Sequence, residues 1–190
     1  MQQENRITGA VVALAGRRVD AAGTQPPRFP LENVPLVRER LAELLAGEGA
    51  AALVCSGACG ADLVALEEAE RLELRRRIVL PFASERFRET SVLDRPGEWG
   101  PVFDRLLAAA RAACDLVVLD AGEGDAAYAA ANEAIVREAQ ALAREDGGAL
   151  RRLVAVVVWE GAARSGSDAT GGFRDLAAKA GFEERSLPTL

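Results

Sequence analysis

The sequence has no histidine and one lysine, Lys179, so its 23 basic residues are otherwise arginine. Without histidine there is no Ser-His or Cys-His nucleophile and no imidazole-held metal. Without a lysine after a glycine loop there is no Walker A phosphate site. Any bound anion has to be met by arginine or by backbone N–H groups. Cysteine is scarce too: Cys55, Cys59 and Cys114 make an odd count. They read as free thiols of a reducing compartment. Cys55 and Cys59 lie four apart with no second Cys or His pair, which does not make a zinc site, and no metal or cofactor is expected. Aromatic residues are 5% of the chain, so Ala, Leu and Val have to build most of the core. No run of about 18 apolar residues occurs, which excludes a transmembrane helix. No basic, apolar leader opens the sequence, so a cytoplasmic location is expected. The net charge of −6 disfavours a large nucleic-acid surface.

What is present is a chain of 190 residues, 49% hydrophobic. That suffices for one domain with a core of its own. Strand-length apolar runs alternate with segments of helical period. Strands are expected over Ile7–Ala15, Ala51–Cys55, Arg77–Pro81, Asp115–Asp120 and Leu153–Trp159, with an edge strand over Phe182–Leu187. Between them, Val34 to Leu45 reads as a helix with Asn33 as N-cap and Pro35 in its first turn. Helices also read from Ala61 to about Leu74, with Glu67 supporting Arg71, and from Pro101. A further one is capped by Asp125 and ends before Gly147-Gly148, and a short one spans Phe173–Ala180. Phe82–Gly100 is an irregular stretch with room for one helical turn. Arg164–Gly172 is a Gly/Ser-rich loop. The alternation predicts an α/β fold: three layers, with a mainly parallel sheet covered by helices on both faces.

In such a sheet, ligands bind beyond the carboxyl ends of the strands, where the strand order reverses. The loops leaving the strands are therefore the candidates. Ser56-Gly57-Ala58-Cys59-Gly60-Ala61-Asp62 follows a strand and opens a helix. Its small residues let backbone N–H groups and the helix dipole face a phosphate, or they simply make a tight turn. Asp62 reads either as an acceptor for a ribose hydroxyl or base, or as a first-turn carboxylate favoured by the dipole. Gly16-Arg17-Arg18 follows the first strand. Arg17 can fork onto phosphate oxygens and Arg28 can join it; otherwise both are solvated. The irregular stretch adds Arg86, Arg88 and Arg95, with Thr90 and Ser91 as the more specific candidates. Asp120, Glu123 and Asp125 cluster after the fourth strand, as oxygen ligands for a cation or, more simply, as a capping loop with one acid near a ribose. Asn132 and Glu133 are weaker candidates. Trp159 reads as core rather than as a base-stacking platform.

Gly57-Ala58-Cys59-Gly60-Ala61-Asp62 also resembles the G-A-x-G-A-D signature in one branch of the SLOG superfamily. Its members are Rossmann-like domains related to the Lonely Guy phosphoribohydrolases and to DNA-processing protein A. Ala15-Gly16-Arg17-Arg18-Val19-Asp20 and Pro27-Arg28-Phe29-Pro30 precede the signature, in the order seen in SLOG-like domains of bacterial signalling proteins. Val79-Leu80-Pro81-Phe82, Phe87, Thr90-Ser91-Val92, Trp99, Gly124-Asp125, Tyr128, Ala131-Asn132 and Val158-Trp159-Glu160-Gly161 follow it. The resemblance implies a nucleotide or nucleotide-derived small molecule at the glycine loop. It also implies a ligand sensor, of a kind often attached to effector domains and commonly a homodimer. With no effector domain expected in this chain, such a sensor would work through a separate effector protein. The hydrolases carry P-G-G-x-G-T-x-x-E. Here Ser56, Ala58, Ala61 and Val64 stand at its proline, second glycine, threonine and glutamate. Valine can be neither acid nor base. Hydrolysis of a nucleoside 5'-monophosphate would then need a displaced carboxylate from Asp120, Glu123 or Asp125. The third possibility is a protein-interaction module whose glycine loop is only structural.

Overall fold

A computed structural model of the chain describes residues 9–145, 151–163 and 166–190. Ile7 and Thr8 of the expected first strand, the Gly147-Gly148 stop, and Arg164-Ser165 of the Gly/Ser-rich loop lie outside the described residues. The strands are β1 (Ala10–Gly16), β2 (Ala50–Cys55), β3 (Arg75–Leu80), β4 (Leu116–Val118), β5 (Arg152–Trp159) and β6 (Glu183–Pro188). The helices are α1 (Val34–Gly47), α2 (Ala61–Arg71), α3 (Ser84–Ser91), α4 (Trp99–Ala112), α5 (Asp125–Leu142) and α6 (Ala169–Lys179). All five strand pairings are parallel, in the order β4-β3-β2-β1-β5-β6. The chain builds outward from β1 to β4, then returns to lay β5 on the free side of β1. The strand order therefore reverses between β1 and β5.

The two-residue period of β1 sends its side chains to opposite faces. Ala10, Val12 and Leu14 join one cluster with Leu41, Leu63, Leu66 and Phe103, from α1, α2 and α4. Val11 and Ala13 join the other with Ile135, Ala139, Phe173 and Ala177, from α5 and α6. This is the three-layer, Rossmann-like arrangement. The core is mostly alanine, valine and leucine, with Phe29, Phe87, Phe103 and Phe173 as its largest fully buried side chains. Among the described residues no helix is long and apolar enough to cross a membrane.

Several local expectations are corrected. Helix α3 occupies eight residues of the supposedly irregular stretch. Only Phe87 among them is a buried apolar residue, so no periodic stripe announces it. Asn33 precedes α1 without capping it, because its Nδ2 donates to the Thr189 carbonyl at 2.9 Å. Asp125 is the first residue of α5 and makes no capping bond. Arg71 pairs with Glu68, at 2.7 Å, while Glu67 turns to Arg38 and Arg105. Helix α6 starts earlier than its apolar residues suggest. Asp168 caps it by accepting from the Thr170 N–H at 3.1 Å.

Candidate functional site

The glycine loop is held by its own protein neighbours. Gly60 has φ +105°, and a Cβ there would sit 2.7 Å from the Val19 nitrogen and 2.8 Å from the Arg17 carbonyl oxygen. At Gly16 a Cβ would lie 2.4 Å from the Ala61 Cβ. At Gly57 it would press on the Phe103 ring at 3.2 Å. The glycines let the ends of β1 and β2 and the start of α2 interlock, and Arg18 and Gly60 form an antiparallel bridge there. Three of the five N–H groups over Gly57–Ala61 are already used. Ala58 donates to Asp62 Oδ2 at 3.2 Å, Cys59 to the Ser91 carbonyl at 3.0 Å, and Ala61 to the Arg17 carbonyl at 3.1 Å. Burial pushes the Cys55 thiol well above its usual pKa and the Cys59 thiol up to about 12, so both stay protonated.

Arg17 is 4% exposed and fully engaged. Its Nε and Nη2 donate to the Glu160 carboxylate at 2.7 and 3.2 Å. Its Nη1 and Nη2 donate to Asp168 at 2.5 and 3.1 Å, and Nη2 also meets the Ala162 carbonyl at 2.8 Å. Burial opposes the charge, yet the bonds to Asp168 and Glu160 outweigh it and raise the guanidinium pKa. Arg28 joins the same cluster through Glu160, at 3.0 Å. The two arginines expected to clamp a phosphate together are thus bound to carboxylates. Together they tie the end of β1 to the end of β5 and the cap of α6.

A cavity of ≈ 420 Å³ opens beside this cluster, at the carboxyl ends of β1 and β2 and against α5 and α6. It lies at the point where the strand order reverses, and its size is that of a small-molecule site. Of the expected site residues, Gly16, Arg17, Ser56, Ala58, Asp62, Ser91 and Asp125 line it. Arg28, Gly57, Cys59, Gly60, Ala61 and Thr90 are not in its wall. Thr90 Oγ1 donates back to the Arg86 carbonyl at 3.0 Å. Asp120 and Glu123 are also absent from the wall. No cluster among the described residues has the makings of a metal site. Trp159 is buried, and its Nε1 donates to Ser186 Oγ at 2.9 Å, as expected of a core residue.

The wall brings Ser91 together with residues that the sequence ranked low or passed over. Ser91 Oγ and Tyr128 Oη are 3.0 Å apart. Asn132 is buried and donates through Nδ2 to the Ala169 carbonyl at 2.7 Å. Thr170 and Asp168 enter with the start of α6, which the Asp168-Ala169-Thr170 pattern signals as a cap. Arg18 and Arg95 complete the polar wall, while Leu14, Phe87, Ile135 and Leu176 supply an apolar part. Asp62 is the most perturbed group of the site. It is 7% exposed, and burial raises its pKa from 3.8 to about 7 despite the Ala58 N–H and the nearby Arg18 charge. At neutral pH it is therefore able both to donate and to accept a hydrogen bond. Val64, at the position of the hydrolase glutamate, is wholly buried in the core.

No family model matches this chain, and no curated protein is significantly similar to it.

Proposed function

We propose that this chain binds a nucleotide or nucleotide-derived small molecule in the cavity beside β1, as a cytoplasmic sensor rather than as an enzyme. The observation that carries this reading is the cavity itself. It sits at the strand-order reversal and combines an apolar wall with Arg18, Arg95, Ser56, Asn132 and the buried Asp62. An apolar wall suits a base, and hydroxyl, amide and carboxyl groups suit a ribose. Homodimerisation belongs to this reading because the SLOG resemblance implies it, and a sensor of this kind would act on an effector protein. Arg17 and Arg28 act here as positioning residues that fix the pocket wall.

Thermal unfolding of the full chain against mono-, di- and cyclic nucleotides, NAD and ADP-ribose derivatives tests the reading. A ligand at about 100 times its Kd adds roughly 2.7 kcal/mol. For a chain of this size that is a shift on the order of 5–10 °C. The control is Ala129→Trp, which places a large ring in the cavity from an exposed position of α5. A selective shift that this variant loses supports the site. Shifts that persist in the variant overturn it.

One observation favours a second reading, nucleoside 5'-monophosphate hydrolysis. Asp62 and Asp125 both bring carboxyl groups to the cavity wall, and Asp62 is poised to exchange a proton near pH 7. Release of free base, abolished in Asp62→Asn or Asp125→Asn, would establish it. If no compound shifts the unfolding and no base is released, the interaction-module reading takes over.

A further inference from the structure

The cavity needs a positive pole if its ligand carries phosphate, and Arg17, Arg28 and the glycine loop are engaged with the protein or lie outside its wall. Arg17 and Arg28 are spent on Glu160 and Asp168. The N–H groups of Ala58, Cys59 and Ala61 are spent inside the protein. Among the described residues, the basic side chains left in the cavity wall are Arg18 and Arg95. Asp94 holds these two together. Arg18 Nη1 donates to both of its carboxylate oxygens at 2.8 Å, and to the Thr90 carbonyl at 3.1 Å. Arg95 Nη1 donates to Asp94 Oδ2 at 2.9 Å and to its carbonyl at 3.1 Å.

All of these bonds pass through the two Nη1 atoms, so Nε–H and Nη2 of each arginine remain for another acceptor. The main chain at Arg18 is fixed by its bridge to Gly60. The two guanidinium groups are therefore ordered before a ligand arrives, and less side-chain entropy is lost when an anion binds. One carboxylate between two guanidinium groups leaves a net charge of +1. The other ionisable residues of the wall are Arg17 with its partner Asp168, and the acids Asp20, Asp62 and Asp125. Asp20 is occupied by the Arg28 and Phe29 N–H groups at 2.8 and 2.9 Å. The available positive charge of the wall is thus at Arg18 and Arg95, and Asp62 lies near enough for the Arg18 charge to act on it.

We infer that the Arg18–Asp94–Arg95 triad, not the glycine loop, is the phosphate-binding subsite of this cavity, and that it takes a single phosphate group. This rests on the proposed nucleotide-binding function. A polyphosphate would bring several negative charges to a triad with one net positive charge, in a wall that also carries several acids.

The test compares 5'-nucleoside monophosphates with the matching nucleosides and with nucleoside triphosphates, by titration calorimetry on the full chain. Arg18→Gln and Arg95→Gln are measured beside the wild type and Ala129→Trp. Wild type should prefer a monophosphate to both its nucleoside and its triphosphate. Each glutamine variant should weaken monophosphate binding by about tenfold or more and leave the nucleoside unchanged. Arg95 is partly exposed, with its side chain held by Asp94 alone, so its variant keeps the test open if Arg18→Gln fails to fold. An unchanged preference for the monophosphate in Arg95→Gln overturns the triad while leaving the cavity intact as a site. Equal or tighter binding of the triphosphate overturns the single-phosphate assignment. Absence of binding of every compound to wild type overturns both the triad and the function it rests on.

Discussion

Asp62→Asn isolates the energetic cost of keeping a carboxyl group in the cavity wall. Asp62 has one hydrogen bond from the protein, from the Ala58 N–H, and little water. Its pKa of about 7 in the folded chain, against 3.8 for an ordinary aspartate, is caused first by burial. The folded chain therefore keeps a proton that the unfolded chain releases. The contribution of Asp62 to stability is most favourable below about pH 4 and falls as pH rises through the folded pKa near 7. Roughly three pKa units at about 1.4 kcal/mol each put the full cost near 4 kcal/mol. Of that, about 2–3 kcal/mol is lost between pH 5 and pH 8. Asparagine has nearly the same shape, can accept from the Ala58 N–H, and does not titrate. The assay is urea unfolding of both proteins at intervals from pH 5 to pH 8. The chain has no histidine to titrate in this window, and the buried thiols Cys55 and Cys59 are raised far above it. The expected result is that Asp62→Asn gains about 2–3 kcal/mol over wild type across the window. Parallel profiles would refute the reasoning, because they would mean that the carboxyl ionises in the folded chain as it does in water.

Gly60→Ala should cost more than about 3 kcal/mol, since it combines a positive φ with a clash on backbone atoms that cannot move aside. Gly23→Ala, at φ +77° with open space around it, should cost only about 1 kcal/mol, and chemical unfolding of the two variants measures the difference. Arg17→Met leaves Glu160 and Asp168 facing each other without their shared cation, and should lower stability by about 3–5 kcal/mol at pH 7. A loss under about 1 kcal/mol in the same assay would mean that water already screens the cluster.

Strands and buried helices were legible because burial writes itself into the sequence. Leu153–Trp159 is apolar throughout because β5 is covered on both faces, and it was found to within one residue. Helix α3 was not legible, because a helix with a single buried apolar anchor has no stripe to read. The start of α6 was hidden for a related reason. Thr170, Gly171 and Gly172 look like a loop, and only the Asp168 cap marks the turn. The location of the cavity was legible from the alternation alone, since parallel strands put all their exits at one end. That reasoning placed Ser56, Asp62, Ser91 and Asp125 in its wall.

The roles of the glycines and arginines were not legible, and both for one reason. A sequence shows that a position has no side chain, but not what fills the space. At Gly60 the space belongs to the main chain of Arg17, Arg18 and Val19, so a loop shaped like a phosphate cradle is also what this fold needs to close on itself. A sequence likewise shows a guanidinium but not its partner. Arg17 meets carboxylates 143 and 151 residues away, brought to it only by β5 crossing back beside β1. The same return that creates the strand-order reversal, and hence the cavity, delivers the acids that neutralise its first arginine. A buried ion cluster of this kind contributes more to fixing geometry than to net stability. Here it joins the ends of β1 and β5 to the cap of α6. The next arginine, Arg18, is left with Asp94 and Arg95 to face whatever enters.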